Sequence, residues 1–597
     1  MPAVKFEKNK IVIEELKEFS EKITAFQNRS LDADEFKHRR LLQGVYGQRQ
    51  PALFMVRVKI PGGGLDANML EGLSRIAGEY CKPVLHITTR QDIQLYNVKI
   101  QNLAPLLDML ADFGMTTREA SGATIRNIIT SPFAGYLRDQ IFDIRPAMEV
   151  MANFFLRHPD TQHLPRKFKL SFSDNEKDYA VSAMHDLGFI AKMQNNRPGF
   201  KVVMGGSLGS VPMAAVVYQE FIPVEDTLLH ALAILRAFNK HGDRSKRSEA
   251  RLKFQLEKIG QDVFNEYIGE EIQNLKNEKY VFPKMEAKFH ENEDFNFENP
   301  YDPEKQKDLY NWFKHNVLPT PRKNEYMALI RVPLGDLSVE MARALNKKMS
   351  GWHTLTDGDY ITLADSQNLV LKGLVVSDNA GNAGDLDTQK AEFFSGIYEY
   401  LKQYDLHGIG HRNPGDVVAC LGSATCAAGI THSPGLGKEL TDKFNHVWLN
   451  DERYANSLIH ISGCSNSCAR HHLASLGFSG RSETDFSETQ HAPAYNVYFG
   501  GSYLNDGKIV LGKKASGKVL AKRVPQFIER VMQYFEKHSD GKENFEHYLA
   551  NISNQEMNNL VEEFSLKNKP ARVEEELEFD WGKHTAYVME YGEGECS

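Results

Sequence analysis

The sequence lacks any long hydrophobic run. Its most apolar short stretch, residues 211–218, is too short to cross a bilayer. The first residues, 1–19, carry Lys and Glu throughout and contain no apolar core of the kind that a signal peptide has. We therefore expect a cytoplasmic protein without a membrane partner.

Positive charge is not in excess either. The 597 residues include 71 basic and 79 acidic side chains, which gives a net charge of −8. A chain-wide basic field, which a general nucleic-acid binder needs, is absent, so no nucleic-acid partner is expected. A chain of 597 residues exceeds one ordinary hydrophobic core, and several domains or a fused repeat are expected.

Cysteine is scarce and unevenly placed. Only six copies are present, and four of them lie close together in the sequence: Cys420, Cys426, Cys464 and Cys468. In a reducing compartment such a group favours a metal site over disulfides. Cys81 lies far from the group and is expected to be a buried core thiol.

The chain contains a degenerate internal duplication. A strand, a helix and a second strand are predicted twice, at 54–61, 66–80 and 84–89 and again at 327–333, 339–349 and 360–363. Two short motifs then recur in the same order: Leu187-Gly188-Phe189 as Leu476-Gly477-Phe478, and Met204-Gly205-Gly206-Ser207 as Phe499-Gly500-Gly501-Ser502. A repeat of about half the chain predicts two fused, pseudo-symmetric halves and not a solenoid.

The regions outside the repeat are more polar. Residues 274–325 are rich in Lys, Glu, Asn and Pro and are expected to form a surface linker. From Val524 onward, apolar residues at helical spacing, among them Phe527 and Val531, predict one amphipathic helix. The acidic sequence after this helix is expected to be loosely ordered up to Cys596.

The four clustered cysteines form two pairs, Cys420-x5-Cys426 and Cys464-x3-Cys468. Thiolates are the usual ligands of iron–sulfur clusters, and a set of this size completes a cubane cluster. Zinc is the alternative, but structural zinc sites usually leave about two to four residues between paired ligands, which the first gap fits poorly. Small residues around the first pair, such as Gly422, allow backbone amides to approach cluster sulfurs closely.

The second cysteine pair carries a family resemblance. It lies in Gly463-Cys464-Ser465-Asn466-Ser467-Cys468. Together with Cys-x5-Cys, this pattern closely resembles the motif of the sirohaem-containing nitrite and sulfite reductase family, to which the internal duplication is also similar. The resemblance runs from about Gln48 to Glu536. Ser465 stands where the family usually has Pro, and a turn tolerates Ser there.

The resemblance implies an α+β fold that is internally duplicated. Each of its two pseudo-symmetric halves is expected to contain a ferredoxin-like piece and a sirohaem-binding α/β piece. The expected division is an N-terminal arm at 1–45, ferredoxin-like half-domain 1 at 46–120, sirohaem domain 1 at 121–262, a linker at 263–320, ferredoxin-like half-domain 2 at 321–400, sirohaem and 4Fe-4S domain 2 at 401–540 and a C-terminal tail at 541–597.

The resemblance also implies two cofactors, a sirohaem and a [4Fe-4S] cluster. The cluster ligands would be Cys420, Cys426, Cys464 and Cys468. Cys468 would also be the axial ligand of the sirohaem iron, whereas the residues alone indicate only a cluster ligand. A shared thiolate couples the two cofactors electronically, which suits a reaction that takes electrons singly and delivers many.

Sulfite and nitrite are small anions, so their reduction requires cations to bind them and protons to remove oxygen as water. Four basic residues lie in segments that resemble the family's substrate-binding motifs, which implies catalytic roles for them: Arg90, Arg126, Lys167 and Lys169. Lys167 and Lys169 are two apart on a predicted strand and are expected to share a face. Any one of these residues alone is typical of a solvated surface charge. Their joint occurrence favours the substrate site.

A second basic group lies within 242–254 and is suited to neutralise the carboxylates of sirohaem: Arg244, Arg247, Arg251 and Lys253. Lys253 matches the family best, and a charged helix face is the alternative. Gln94, Asn466 and Arg470 are further candidates for the periphery of the cofactor.

The resemblance implies an oxidoreductase that carries out assimilatory reduction of sulfite to sulfide. Ferredoxin-dependent reduction of nitrite to ammonia is the alternative, and it uses the same machinery. Relatives similar to nitrite reductases tend to have Asn at the position of Lys169, whereas sulfite-type members have Lys, which favours sulfite. A cluster carrier without catalysis would have lost the cations, which are all present.

Two further expectations concern haem ligation and electron supply. The pair His471-His472 is an alternative source of a haem ligand, although a structural or cofactor-edge role is favoured. No Gly-x-Gly-x-x-Gly motif follows a predicted strand, so no nicotinamide or flavin domain is expected. Electrons are therefore expected from a partner, with ferredoxin as the first candidate and a separate flavoprotein as the second.

Overall fold

The computed structural model describes residues 3–295, 297–352, 360–376, 386–484, 491–505, 507–566, 577–590, 592, 594 and 595. They belong to two compact units. The first comprises Met1–Tyr46, Ala52–Ser207 and Met213–Gly410, and the second comprises Gly47–Pro51, Leu208–Pro212 and His411–Ser597. Within the described ranges, no helix has both the length and the apolar character that a membrane span requires. Cys596 lies outside the described residues.

Two helices begin the first unit, α1 at Lys10–Gln27 and α2 at Ala33–Leu42. Each follows a side chain that accepts an N–H of the first helical turn, Asn9 for α1 and Asp32 for α2. Phe36 is buried within the apolar core of the first unit. The predicted N-terminal arm is therefore folded and contributes to that core.

The first ferredoxin-like piece is a small sheet with helices. Its elements are β1 Val45–Gly47, β2 Leu53–Val58, β3 Gly64–Leu65, α3 Ala67–Tyr80, β4 Val84–Ile87, β5 Ile93–Lys99 and α4 Leu103–Asp112. The helix predicted at 66–80 is confirmed as α3, with Asp66 as its N-cap. Buried residues at helical spacing, such as Met69 and Leu73, show why this sequence forms a helix against the sheet.

A second sheet with flanking helices follows. Its elements are β6 Ile125–Thr130, α5 Arg145–Phe155, β7 Phe168–Ser173, β8 Leu187–Gln194, β9 Arg197–Met204, β10 Val216–Pro223, α6 Thr227–His241, α7 Leu252–Ile259 and α8 Gln261–Asn277. The strand order is β10-β9-β8-β7-β6, with β6, β7 and β8 parallel and the others antiparallel. Lys169 lies on β7, whereas Lys167 precedes the strand.

The second ferredoxin-like piece repeats the first. Its elements are α9 Lys307–Asn316, β11 Val317–Pro319, β12 Glu325–Ile330, β13 Asp336–Ser338, α10 Val339–Trp352, β14 Ile361–Leu363, β15 Leu369–Val375 and α11 Leu386–Lys402. Helix α9 lies within the predicted surface linker, and its Trp312 is fully buried. The linker prediction therefore does not describe this part of the chain, because α9 packs its apolar face against α11 and β12.

The two ferredoxin-like pieces exchange strands. β13 pairs with β4 of the first sheet, and β3 pairs with β14 of the second. Two glutamines make reciprocal hydrogen bonds across this exchange: Gln91 Nε2 donates to Leu363 O at 2.8 Å, and Gln367 Nε2 donates to Ile87 O at 3.0 Å. Both glutamines have positive φ angles, 55° and 66°. The predicted duplication is thus confirmed as a pseudo-two-fold arrangement within the first unit.

The second unit contains a six-stranded sheet, a two-stranded sheet and a helical C-terminal region. Its elements are β16 Val418–Ala419, α12 Ser433–Phe444, α13 Val447–Asn450, β17 Ile459–Ser462, β18 Leu476–Thr484, β19 His491–Phe499, β20 Ser502–Asn505, β21 Lys508–Val510, β22 Lys513–Lys514, β23 Val519–Leu520, α14 Val524–His538, α15 Phe545–Asn551 and α16 Asn554–Glu562. The predicted amphipathic helix is confirmed as α14, with Phe527, Val531 and Phe535 buried. Helices α15 and α16 show that the predicted loosely ordered tail is wrong for 545–562.

Candidate functional site

Two parallel strands bring the cysteine pairs together in the second unit. β16 and β17 pair side by side, with Ala419 opposite Ile461. Cys420 follows β16 directly, and Cys464 lies just beyond the end of β17. Because parallel strands end at the same edge of a sheet, both cysteine-bearing loops leave from that edge. The Cys420 N–H also donates to Ile461 O at 3.1 Å.

The two loops are hydrogen bonded to each other. The Gly463 N–H donates to Cys420 Sγ at 3.2 Å, and the Ile430 N–H donates to Gly463 O at 2.7 Å. A Cβ on Gly463 would lie 2.5 Å from the Cα of Gly422, so a larger residue would push the loops apart. Glycine at this position therefore permits both the close loop contact and an amide donor to a cysteine sulfur.

Cys464 lies within the electrostatic field of the other three cysteines. Burial raises the pKa of Cys464, and three neighbouring sulfurs raise it further: Cys468, Cys420 and Cys426. The structure joins none of these four residues by a disulfide. Thiolates held this closely need a positive partner, which the irons of a cluster supply. The donor set therefore fits a [4Fe-4S] cluster.

No group of three or more His, Cys, Asp or Glu side chains in the described part of the chain is arranged to hold a single metal ion. A cubane cluster has a different requirement, because each of its thiolates binds a different iron.

The second cysteine loop has an unusual backbone. Ser467 and Arg470 have positive φ angles of 55° and 59°. Cys464 is buried, whereas Cys468 and Asn466 are exposed. Arg470 is buried, and its carbonyl oxygen lies 3.3 Å from Nδ1 of His460. The left-handed turns therefore present the two cysteines of the loop to different environments.

The first half has the same loop without the thiols. Leu170 pairs with Leu187 in the first half just as Ile459 pairs with Leu476 in the second, and equal numbers of residues separate each pair. This register places Asn175 at the position of Cys464 and Tyr179 at that of Cys468. The turn is retained, since Asp178 and Val181 have φ angles of 51° and 52°. The two halves therefore share the loop, but the positions of Cys464 and Cys468 are occupied in the first half by a polar and an aromatic residue.

A group of basic side chains lies in the first unit. Burial holds the pKa of Lys169 well below its usual value, and three neighbouring cations act in the same direction: Arg90, Arg251 and Lys167. The charge of Asp186 opposes them. The structure thus brings together three of the predicted catalytic cations and one residue of the second basic group. Such an excess of positive charge suits an anion.

Asp186 organises this cationic group. Arg251 donates to both of its carboxylate oxygens, with Nη2 2.7 Å from Oδ2 and Nε 3.1 Å from Oδ1. The Lys169 N–H donates to Oδ2 of Asp186 at 2.8 Å. The carboxylate therefore links β7 to the start of α7. Sequence reasoning missed Asp186, which precedes the recurring Leu-Gly-Phe motif and offers no pattern of its own.

Arg126 has a separate, rigid environment. Its guanidinium donates to Ala120 O and Gly122 O, both at 2.9 Å, and to the Tyr46 hydroxyl at 3.1 Å. Arg90 Nη2 donates to the carbonyl oxygen of Asn127, the residue after Arg126. These backbone acceptors hold both guanidinium groups in place without cancelling their charge.

The carboxylate of Asp92 lies within the electrostatic field of both Arg90 and Arg126. Burial raises the pKa of Asp92 to about 6, although four nearby cations act against this: Arg57, Arg90, Lys59 and Arg126. Sequence reasoning did not include Arg57, Lys59 or Asp92 in the site. A signal was present, because Arg57 and Lys59 alternate with apolar residues along a buried strand.

The second basic group divides into two parts. Arg251 and Lys253 are buried, with 8 % and 3 % of their surface exposed. Burial, reinforced by the charge of Arg251, lowers the pKa of Lys253 to about 8. Arg244 and Arg247 are exposed, and Arg244 donates to Asn239 O at the end of α6 at 2.9 Å. The structure therefore groups only Arg251 and Lys253 with the buried cations.

Gln94 and the histidine pair occupy packed positions. With its side-chain amide oriented to suit both neighbours, Gln94 accepts from Arg57 Nε at 3.0 Å and donates to the Tyr96 hydroxyl. In the second unit, the His471 ring is fully buried and lies 4.7 Å from the Tyr498 ring. Burial lowers the pKa of His471 well below its usual value. These contacts agree with the expected structural role of the histidine pair.

Two family models of known proteins match this chain, one for each kind of domain in the predicted fold. The family described as nitrite and sulphite reductase 4Fe-4S domain matches residues 121–276 and 410–569. The nitrite/sulfite reductase ferredoxin-like half domain matches residues 46–113. These matches coincide with the first ferredoxin-like piece, with the sheet of β6–β10 in the first unit and with the six-stranded sheet in the second unit.

Individual relatives cover most of the chain. The sulfite reductase [ferredoxin] of Mycobacterium tuberculosis is 26 % identical over 506 residues, which is 83 % of this chain and 82 % of the relative. The ferredoxin–nitrite reductase of Synechococcus elongatus is 24 % identical, over 84 % of this chain and 90 % of the relative. The structure of the Mycobacterium tuberculosis NirA protein has the same fold, with a TM-score of 0.73 and 22 % identity over 91 % of this chain and 97 % of that chain.

Proposed function

Because the chain belongs to the nitrite and sulphite reductase family, we propose that it reduces sulfite to sulfide at a sirohaem iron coupled to a [4Fe-4S] cluster. Sulfite is preferred to nitrite as the substrate because Lys169 lies within the cationic group of Arg90, Lys167 and Arg251. Reduction of nitrite to ammonia is the second candidate, since a ferredoxin–nitrite reductase is also among the relatives.

The cluster and the sirohaem are assigned to particular residues. The matching 4Fe-4S domain confirms the predicted cluster. We assign its ligands to Cys420, Cys426, Cys464 and Cys468. Cys468 is the exposed member of the second pair, and by the family resemblance we propose that its thiolate would also hold the sirohaem iron.

The chain's own residues bind the anion and position protons. When bound, the sirohaem iron supplies a Lewis acid that polarises the substrate and passes electrons to it. Arg90 and Arg126 are held by backbone carbonyls, so their charges are preorganised for an oxyanion. Lys169, whose pKa is lowered by burial and by its neighbours, holds a proton that it releases more easily than an ordinary lysine. Lys253 and Arg251 would hold carboxylates of sirohaem.

Electrons are proposed to come from ferredoxin. The relatives in Mycobacterium tuberculosis and Synechococcus elongatus are named as ferredoxin-dependent enzymes. A flavoprotein partner is the second candidate, because a 23 % identical relative in Staphylococcus saprophyticus is named sulfite reductase [NADPH] hemoprotein beta-component.

Replacing Lys169 by Asn tests the choice of substrate. We expect the ratio of nitrite to sulfite kcat/KM to rise about tenfold, mainly through loss of sulfite reduction, because deprotonated sulfite carries more negative charge than nitrite. A tenfold change corresponds to about 1.4 kcal/mol, which is reasonable for one partly screened charge. Both substrates are assayed side by side, with a reduced viologen as the electron donor.

Lys192→Asn is the matched control for this substitution. Lys192 lies on the neighbouring strand β8 and pairs with Glu220 at 3.2 Å, so its replacement is expected to leave the ratio unchanged. A wild-type enzyme that strongly prefers nitrite, or a Lys169→Asn variant with an unchanged ratio, would identify the chain as a nitrite reductase.

Retention of sirohaem should depend on pH through Lys253. Its pKa is lowered to about 8, so the charge that holds a carboxylate is present below that pH and is lost as the pH rises through it. We expect sirohaem to dissociate faster at about pH 9 than at about pH 7, as followed by its visible absorption.

Arg stays charged throughout this range, so Lys253→Arg should remove most of that pH dependence. Lys258→Arg, at an exposed position, serves as the control and should behave like the wild type. The same pH dependence in Lys253→Arg and in the wild type would exclude Lys253 as the titrating group.

A further inference from the structure

Arg49 lies against the loop that carries Cys426. Its backbone N–H donates to Thr425 O at 2.7 Å. Its side chain donates through Nε to Cys426 O at 3.4 Å and through Nη2 to Ala427 O at 3.4 Å and to Gly429 O. One residue thus donates to four carbonyl oxygens of the loop from Thr425 to Gly429, which we call the cluster loop.

Residues 577–590 together with Gly592, which we call the C-terminal segment, lie against the same part of the chain. Gly592 N–H donates to Ala427 O at 3.0 Å, and the Tyr587 hydroxyl donates to Ile430 O at 3.2 Å. Arg49 joins this segment as well, since its Nη2 donates to Glu590 O at 3.1 Å and its Nη1 lies 3.1 Å from Glu590 Oε2. The guanidinium is therefore enclosed between the cluster loop and the C-terminal segment.

Arg49 and its ion-pair partner Glu590 differ in solvent exposure. The Arg49 side chain is 19 % exposed, whereas that of Glu590 is 70 % exposed. Solvent screens the exposed carboxylate more strongly than the enclosed guanidinium, so the guanidinium contributes a positive potential at the loop. Charge, hydrogen bonding and solvent exposure are the protein's means of setting the potential of an iron–sulfur cluster.

The hydrogen bonds from Arg49 also fix the orientation of the peptide groups in the loop. In a trans peptide the C=O and the N–H point to opposite sides. Because the carbonyls of Cys426 and Ala427 face the guanidinium, the N–H groups of Ala427 and Ala428 point away from it. Arg49 thereby fixes amide dipoles on the loop that bears a cluster ligand.

We propose that Arg49 is a positioning residue of the cluster, which fixes the loop around Cys426 and raises the cluster's reduction potential. The inference rests on the proposed function, because it requires Cys426 to be a cluster ligand. Reduction adds one electron to the cluster, and a nearby enclosed cation stabilises the added negative charge.

The test compares Arg49→Gln with Arg49→Lys in the holoenzyme. The midpoint potential of the cluster is measured by a redox titration followed by electron paramagnetic resonance, and the iron content is measured on the same samples. We expect Arg49→Gln to shift the potential downward with the iron content preserved. Arg49→Lys, which retains the charge but not the planar fork, should restore most of the wild-type potential.

Glu590→Gln is the matched control, because it loosens the same contact while leaving the cation in place. Its potential should not fall below that of the wild type. An unchanged potential in Arg49→Gln, or an equal fall in Glu590→Gln, would overturn the proposal.

If Arg49→Gln loses the cluster, the midpoint potential of Arg49→Lys tests the proposal instead. A wild-type potential in Arg49→Lys then supports the proposal, and a lowered one overturns it. Wild-type protein without iron would instead refute the proposed function.

Discussion

Replacing Cys420 or Cys464 by Ser is expected to remove iron and acid-labile sulfide from the purified protein. Each substitution removes one thiolate from the set, and a hydroxyl is a poor substitute for a soft thiolate at iron. Replacing Cys420 also disturbs the loop of the second cysteine pair, because Cys420 Sγ accepts the N–H of Gly463 at 3.2 Å. Sirohaem should also be loosened, since we assign Cys468 to both cofactors.

The measurement is the iron and sulfide content per chain together with the visible spectrum. The wild type should contain about four irons in the cluster and about one in the sirohaem. Cys81→Ser is the control, because Cys81 is the C-cap of α3 in the first unit and should be replaceable without loss of iron. Stoichiometric zinc without iron in the wild type would end this interpretation.

Close backbone contacts explain why the duplication could be detected from the sequence. A Cβ on Gly188 would lie 3.0 Å from Ser182 O, and a Cβ on the equivalent Gly477 would lie 1.8 Å from His471 O. The second recurring motif also contains a glycine in close contact with the backbone, since a Cβ on Gly206 would lie 2.2 Å from Ala183 O. Only glycine permits these approaches, so the motifs persist in both halves while the neighbouring residues differ.

The strand exchange could not be predicted in the same way. β13 pairs with β4, and β3 pairs with β14, between segments that lie far apart in the sequence. Hydrophobic periodicity identifies a strand and its buried face but not its distant partner. The same limit applies to Arg49, whose partners in the cluster loop lie hundreds of residues away and are reached by backbone acceptors that no side-chain pattern reveals.

Burial distinguishes the predicted cations of the buried basic group from those on the surface. Residue type alone cannot separate the exposed Arg244 and Arg247 from the buried Arg251 and Lys253, because all four occur in one basic stretch. The structure separates them through Asp186, which accepts three hydrogen bonds from Arg251. A buried cation usually has a specific partner, whereas an exposed one does not need it.

Replacing Arg126 or Lys167 by Ala is expected to lower turnover about a hundredfold or more while the cofactor spectrum is retained. This factor corresponds to about 3 kcal/mol, the scale on which loss of one preorganised charge stabiliser raises a barrier. Arg126 is preorganised by hydrogen bonds to Ala120 O and Gly122 O. Lys167 contributes to the positive field that also lowers the pKa of Lys169.

Turnover is measured with a reduced viologen only on variants whose absorption spectrum matches that of the wild type, which separates catalysis from folding. Arg126→Lys keeps the charge but cannot satisfy both carbonyl acceptors in the same way, so its activity should lie between those of the wild type and Arg126→Ala. Lys192→Ala, which removes a surface partner of Glu220, should retain full activity. Unchanged turnover in both Arg126→Ala and Lys167→Ala would show that these residues are structural or surface charges and that the anion is bound elsewhere.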